Sequence, residues 1–163
     1  MNLQSPPFID TRSLRDALGE YATGVAVVTA RARDGQPIGV TINSFSSVSL
    51  DPPLVLWSLG LSSPSLAVFE ACSHYAVNIL AADQVEFSQR FAQSQSDKFA
   101  GIVTTVGAGG TPLLPGCSAW FECRNELRYP GGDHIILIGL VENFGRAERA
   151  PLIFHGGRYR SLA

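Results

Sequence analysis

The sequence predicts a closed or partly closed antiparallel β-barrel with short helices at its ends, folded as one domain. Three observations predict it. Apolar stretches with strand-like alternation or β-branched residues recur along the chain. Many of them are joined by tight-turn signals such as Asp34-Gly35 and Gly156-Gly157. The balance is about seven or eight strands to three short helices, without the regular strand–helix alternation of a doubly wound sheet.

The elements follow in order. Residues 1–10 read as a flexible arm, with Pro6-Pro7 opposing helix. Thr11 or Ser13 can cap a first helix, striped by Leu14, Leu18 and Tyr21 and stopped at Gly24. Val25–Ala32 and Ile38–Ile42 flank the Asp34-Gly35 turn as a hairpin. Leu54–Leu59 is a further strand, and Ser63-Pro64 opens a short helix through Leu66 and Phe69. Tyr75–Leu80 alternates as a strand. Asp83 and Glu86 have capping-box spacing before a helix to Phe91. Ser94–Lys98 is a polar loop, and Gly107–Pro115 reads as a surface loop. Ala119–Leu127 and His134–Phe144 are long strands. Leu152–His155 and Arg158–Leu162 form a last hairpin around Gly156-Gly157.

The composition narrows the function. The chain has 163 residues, enough for one real core, and 45% of them are hydrophobic. Only 16% are charged, which leaves surface for partner chains to cover. Net charge is −2 with no Lys/Arg block, so the basic field that nucleic acid requires is missing. No apolar run reaches membrane-spanning length, and MNLQSPPFIDTRS does not read as a secretory signal. Cys72, Cys117 and Cys123 form no CxxC and read as buried thiols of a reducing cytoplasm.

The most informative stretch is TINSFSSVS, Thr41 to Ser49. Six of its nine residues carry a hydroxyl or amide: Thr41, Asn43, Ser44, Ser46, Ser47 and Ser49. Ile42, Phe45 and Val48 recur every third residue, a spacing that fits neither strand nor helix. The expectation is an irregular extended segment, ended by the turn at Asp51-Pro52-Pro53. Such a row of neutral donors suits a phosphate or a planar heterocycle. The alternative is a hydroxyl-rich edge strand facing water.

Two smaller features accompany it. Gly131-Gly132-Asp133-His134 precedes the apolar strand Ile135–Val141. Glycines admit close backbone approach, and a carboxylate beside an imidazole sets its charge or tautomer. Taken alone, these residues read more readily as a hairpin turn with a surface histidine. Asp97-Lys98-Phe99 offers one ammonium, which can meet a phosphate or simply be solvated. The chain has no GxxxxGK loop, GxSxG elbow or HExxH, and Pro112 stands where a dinucleotide fingerprint would want its last glycine. Cys72-Ser73-His74 is at most half a metal site, so no metal is expected.

Taken together, GVTINSFSSVSLDPPLVLWS, YAVNILAADQVEFSQRFA, DKFAG, CSAWFEC, GGDHIILIGLVENF and PLIFHGGRYR occur in that order. The series resembles the flavin reductase family, the short-chain NAD(P)H:flavin oxidoreductases that supply reduced flavin to two-component monooxygenases. The resemblance runs from about Leu14 to Tyr159. It implies an antiparallel Greek-key split β-barrel of the FMN-binding type, a flavin reductase-like domain over residues 11–163, and a cytoplasmic homodimer.

It also implies site residues. Thr41, Asn43, Ser44, Ser46, Ser47 and Val48 would contact FMN or FAD, with Ser58 and Ser63 near its phosphate or ribityl chain. Asn78 through Ala81 would face the isoalloxazine, and Lys98 with Phe99 would lie near the phosphate. Asp133 and His134 match the family's GDH motif, which holds NADH or NADPH. Tyr159 and Arg158 would stand at the same place. His155 carries no implied role. The implied reaction passes a hydride from nicotinamide to flavin, so no nucleophile or metal is required of the protein. The partner would be a monooxygenase component that accepts reduced flavin. Two other readings fit the same barrel: a reductase with tightly held flavin and another acceptor, and a non-catalytic flavin-binding protein.

Overall fold

A computed structural model describes residues 8–94 and 97–162. Residues 1–7 of the expected arm, two residues of the polar loop and the last residue of the expected domain lie outside the described residues.

Seven antiparallel strands make the main sheet. In chain order they are β2 (Ala26–Arg31), β3 (Pro37–Ile42), β4 (Ser46–Leu50), β5 (Pro53–Gly60), β6 (His74–Ile79), β9 (Ala119–Gly131) and β10 (His134–Arg146). In space they run β3-β2-β6-β9-β10-β5-β4. A second sheet joins β1 (Thr23–Gly24) to the hairpin of β11 (Ile153–His155) and β12 (Arg158–Arg160). A small third sheet pairs β7 (Thr105–Val106) with β8 (Pro112–Leu113). Three helices complete the fold: α1 (Thr11–Gly19), α2 (Leu66–Ala71) and α3 (Val85–Ala92). Among the described residues no helix is long and apolar enough to cross a membrane.

The sheet curls until the β3–β4 connection meets β5. Ser44 Oγ accepts from the Ser58 N–H at 3.0 Å and donates to the Ser58 carbonyl at 3.2 Å. The edge strands β3 and β4 do not pair with each other, so the barrel is split there and this clasp bridges the gap. The inward residues of β2, β5, β6 and β10 form the main core around Trp57, which is fully buried. A smaller core gathers Val25, Val27, Leu80, Phe91, Leu114, Cys117 and Leu152 under α3 and the last hairpin. The three thiols are free, and burial pushes Cys117 and Cys123 up to about 12, so they are inert core groups.

Four local expectations change. The cap of α1 is Asp10, whose carboxylate accepts from the backbone N–H groups of Arg12 and Ser13. A hydrogen bond from the Ser13 hydroxyl, the largest cause, and those two backbone bonds hold the Asp10 carboxyl below its usual pKa. The Asp83/Glu86 capping box does not form, because Asp83 pairs with Arg149 and Gln84 occupies the cap position. Residues 46–50 form a regular edge strand whose register shifts between Ser47 and Ser49. The three-residue apolar spacing has two sources: Ile42 to Phe45 crosses the β3–β4 connection, and the bulge at Val48 breaks the two-residue alternation after it. The Gly107–Pro115 stretch is not merely a surface loop. Thr111 and Leu114 are buried, and the Pro112 carbonyl accepts from Thr29 Oγ1 at 2.5 Å.

Candidate functional site

One face of β3 organises the clefts. Gly39 and Thr41 point toward α3, two residues apart as strand alternation requires. A Cβ on Gly39 would lie 2.6 Å from the Phe91 ring, so only glycine lets α3 lie this close. Thr41 Oγ1 donates to the Ser88 carbonyl at 2.7 Å, and Ser88 Oγ shares a 2.8 Å hydrogen bond with Tyr159 Oη. Ser88 therefore ties β3, α3 and β12 together. Sequence reasoning missed it, although a serine between Val85 and Phe91 on the inward stripe of a helix was a readable signal.

Three cavities run along this face. The central one, about 250 Å³, is lined by Val25, Thr41, Ile42, Asn43, Ser88, Ala92, Phe154 and Tyr159. It offers an aromatic wall, since Phe154 and Tyr159 pack edge-to-face at 5.7 Å, and a rim of hydroxyls and one exposed carboxamide. A second cavity of about 370 Å³ lies toward the start of β3. Gly39, Pro64, Ser65, Ser94, Lys98 and Phe99 are among its walls. Lys98 Nζ donates to the Gly39 and Phe91 carbonyls at 3.1 and 3.0 Å, leaving one of its three donors uncommitted among the described residues. Partial burial lowers the Lys98 ammonium below the usual lysine value. Phe99 packs on Phe91 at 4.9 Å. Among the described residues no carboxylate lines either cavity, so an anionic group meets no like charge from them there. From Gly39 to Asn43 the chain climbs about 13 Å, room for a planar ring at one end and a phosphate at the other. The third cavity adjoins the central one through Asn43 and Phe154 and continues toward α1.

Not every expected residue reaches these clefts. Asn78 is fully buried and its amide is spent inside the protein. Nδ2 donates to the Val27 carbonyl and Thr29 Oγ1, and Oδ1 accepts from the Leu114 N–H. Ala81 is 1% exposed and bridges to Pro151. Neither side chain opens onto the three cavities: β6, which carries Asn78, is paired on both sides, and Ala81 lies just beyond its end, closed off by the bridge to Pro151. Ser44 and Ser58 hold each other in the barrel clasp. Ser63 Oγ accepts from the Ser65 N–H at 3.3 Å, before α2.

Ser46, Ser47 and Val48 are exposed on β4, the edge strand. Asp133 and His134 lie at the β9–β10 turn, where the Asp133 carboxylate meets His134 Nδ1 at 2.7 Å. That bond holds the Asp133 carboxyl below its usual pKa. Neither residue borders the three cavities. His134 pairs across the ladder with Gly60, two residues beyond Ser58. Arg158 is exposed beside the final turn, and His155 lies 3.6 Å from Glu20. Thr41, Asn43 and Tyr159 thus share one cavity, Lys98 and Phe99 the next, and the Ser46–Val48 and Asp133–His134 groups form a separate exposed face.

A split barrel with a carboxylate-free cleft, a tethered ammonium and an aromatic wall defines a protein able to hold a phosphorylated heterocycle. The chain belongs to the flavin reductase-like family, whose domain model matches residues 18–163. It is 47% identical to the reductase component of the flavin-dependent trigonelline monooxygenase of Acinetobacter baylyi, over 91% of this chain and 48% of that protein. It is 44% identical to the NADH-dependent FMN reductase SmoA of Agrobacterium fabrum, over 92% of this chain and 85% of that one. Among solved structures, the Streptomyces globisporus NADH:FAD oxidoreductase SgcE6, in complex with NAD and FAD fragments, superposes with a TM-score of 0.90 at 38% identity. That match covers all of this chain and 98% of the other. The chain spans about half the length of the trigonelline relative and most of the other two.

Proposed function

We propose that this protein is an NAD(P)H-dependent flavin reductase that delivers reduced FMN or FAD to a partner monooxygenase. The observation that carries the reading is the cleft along β3, where Thr41, Asn43 and Tyr159 meet beside Lys98 and no carboxylate intrudes. The bound cofactors supply the chemistry, a hydride given by nicotinamide to flavin. The chain's own residues bind and align. Phe154 and Tyr159 give the ring an apolar wall, and Ser88 fixes Tyr159 and Thr41 in place. The uncommitted Lys98 donor meets the phosphate. A single lysine and neutral hydroxyls grip a phosphate less firmly than a bidentate arginine, which suits a flavin that must leave.

The direct test is NADH oxidation with and without added flavin. Turnover that rises with flavin concentration is expected. Turnover independent of added flavin fits a tightly held flavin with another acceptor. A yellow protein without turnover fits flavin storage. Turnover is expected with NADH, as named for the SmoA and SgcE6 relatives.

The homodimer belongs to the same proposal. Val48, Leu50, Leu61 and Tyr129 are 46%, 93%, 51% and 49% exposed, on or beside strands of the face that carries His134. An open edge strand bordered by apolar side chains is a docking surface. A second copy seated there would bring the His134 and Ser46–Ser47 groups to a shared cleft that one protomer leaves divided. Light scattering should give twice the 17.4 kDa of one chain. A single-chain mass with full activity would refute the shared cleft.

The exposed serines give a second test. With the second copy seated on β4 these hydroxyls would complete the grip on the flavin's phosphorylated chain, so Ser46→Ala with Ser47→Ala should weaken flavin binding more than tenfold, each hydrogen bond to a charged group contributing roughly 1.5–3 kcal/mol. The fold should persist, since among the described residues the Ser46 hydroxyl bonds only to the neighbouring Ser47 carbonyl. Unchanged flavin affinity would mean that these hydroxyls face only water.

A further inference from the structure

A fourth cavity, about 620 Å³, lies between the β2–β3 turn and α2. It shares no residue with the three along β3. Its walls are of two kinds. α2 supplies Ala67, Val68 and Ala71, an aliphatic face of the helix, and both alanines are exposed. Cys72 extends that wall, and burial pushes its thiol pKa up, so it adds a neutral surface. The second wall carries Arg31 and Arg33. Arg31 is anchored. Its Nε donates to the Gly110 carbonyl at 2.5 Å and its Nη1 to the Gly35 carbonyl at 2.8 Å, which leaves Nη2 uncommitted among the described residues. Arg33 is exposed and has no hydrogen bond or ion pair among the described residues.

We propose that this cavity binds an alkyl carboxylate, an aliphatic chain with one anionic head. The inference goes beyond the flavin chemistry and does not rest on it. Charge sets the head. Two guanidiniums outnumber one carboxylate, Asp34, whose Oδ1 already accepts from the Gln36 N–H at 3.0 Å. That balance of one positive charge matches a single carboxylate better than a doubly charged phosphate, and the planar arginine fork fits a carboxylate. His74 also lines the cavity but is committed elsewhere. Its Nδ1 shares a 3.0 Å hydrogen bond with Ser73 Oγ, and its Nε2 lies 3.2 Å from Glu142. Glu142 is not part of the lining, and it also meets Arg124 at 3.5 Å. The His74 ring packs on Gly109, where a Cβ would come within 2.5 Å of it. The aliphatic wall sets the tail. Among the described residues no Phe, Tyr or Trp lines the cavity, so nothing offers an edge or face to an aromatic ring. An alkyl chain would cover Ala67, Val68 and Ala71 and take their apolar surface out of water.

Octanoate is the probe, titrated by calorimetry into the unaltered chain at fixed ionic strength. Acetate, which keeps the head, and 1-octanol, which keeps the tail, are titrated beside it. Octanoate should bind about tenfold or more tightly than either, because each control lacks one of the two walls' partners. Two substitutions then locate the site. Arg33→Gln removes the free cation. Ala67→Asp sets a carboxylate in the aliphatic wall, in the first turn of α2, where an acidic residue suits the helix. Each should weaken octanoate about tenfold or more, with an unchanged circular dichroism spectrum. Saturating FMN should leave octanoate affinity unmoved, because the cavities share no residue. Absence of octanoate binding, affinity no tighter than that of acetate or of 1-octanol, or affinity that neither substitution moves would overturn the proposal. So would competition between octanoate and FMN, which would place the chain in the β3 cleft instead.

Discussion

His134→Ala is expected to lower the rate of flavin reduction by NADH about a hundredfold while flavin affinity moves little. Misplacing a reacting group by about 1 Å costs rates of that order. The geometry explains why this side chain can position a donor ring. Asp133 holds Nδ1 at 2.7 Å, which orients the imidazole with Nε2 beside Gly60. The ring sits beside Gly60, with Nε2 3.8 Å from where a Cβ would be, so the strand leaves it room. Flavin is held elsewhere in the proposed arrangement, by Thr41, Asn43, Tyr159 and Lys98. Stopped-flow reduction and flavin titration on the same variant separate the two effects. Normal reduction at every NADH concentration would reduce His134 to a turn residue. Lost flavin affinity would assign it to the other ligand.

The strands were legible in the sequence because alternation and turn chemistry are local. Val25–Ala32 around Asp34-Gly35 and the pair flanking Gly156-Gly157 emerge with boundaries shifted by a residue or two. The site was legible only in part. Thr41, Asn43 and Tyr159 meet because β12 folds back over β3, a contact between residues more than a hundred positions apart that no spacing reveals. Asn78 went wrong for a physical reason. A polar residue in an apolar strand can be a ligand contact or the satisfied hub of a core, and only its partners decide. Here Val27, Thr29 and Leu114 take its whole amide. Ser88 poses the same choice with the opposite result, since its hydroxyl leads to the rim of the cleft through Tyr159. The bulge in β4 hid a regular strand behind a three-residue period.

The largest loss of stability is expected from Trp57→Ala. The indole is fully buried at the centre of the barrel. It packs edge-to-face on Phe69 of α2 at 5.0 Å and on Tyr75 of β6 at 5.6 Å, so it joins a helix and two strands at one point. Truncating such a ring removes its burial and leaves a cavity that the barrel closes only partly, at a cost of about 3–5 kcal/mol. For a chain of this size that lowers the melting temperature by roughly 10 °C. Trp57→Phe should recover most of the loss, because a smaller ring keeps the edge-to-face contacts. The site should respond differently from the core. Trp57 points inward, while the next residue, Ser58, faces the other way and carries the clasp to Ser44. The folded fraction of Trp57→Ala should therefore keep its flavin affinity. Urea denaturation monitored by circular dichroism, beside flavin titration at low temperature, checks both halves. An unchanged denaturation midpoint would show that the barrel does not depend on this ring. A fall in flavin affinity without a fall in stability would place Trp57 in the binding site instead of beneath it.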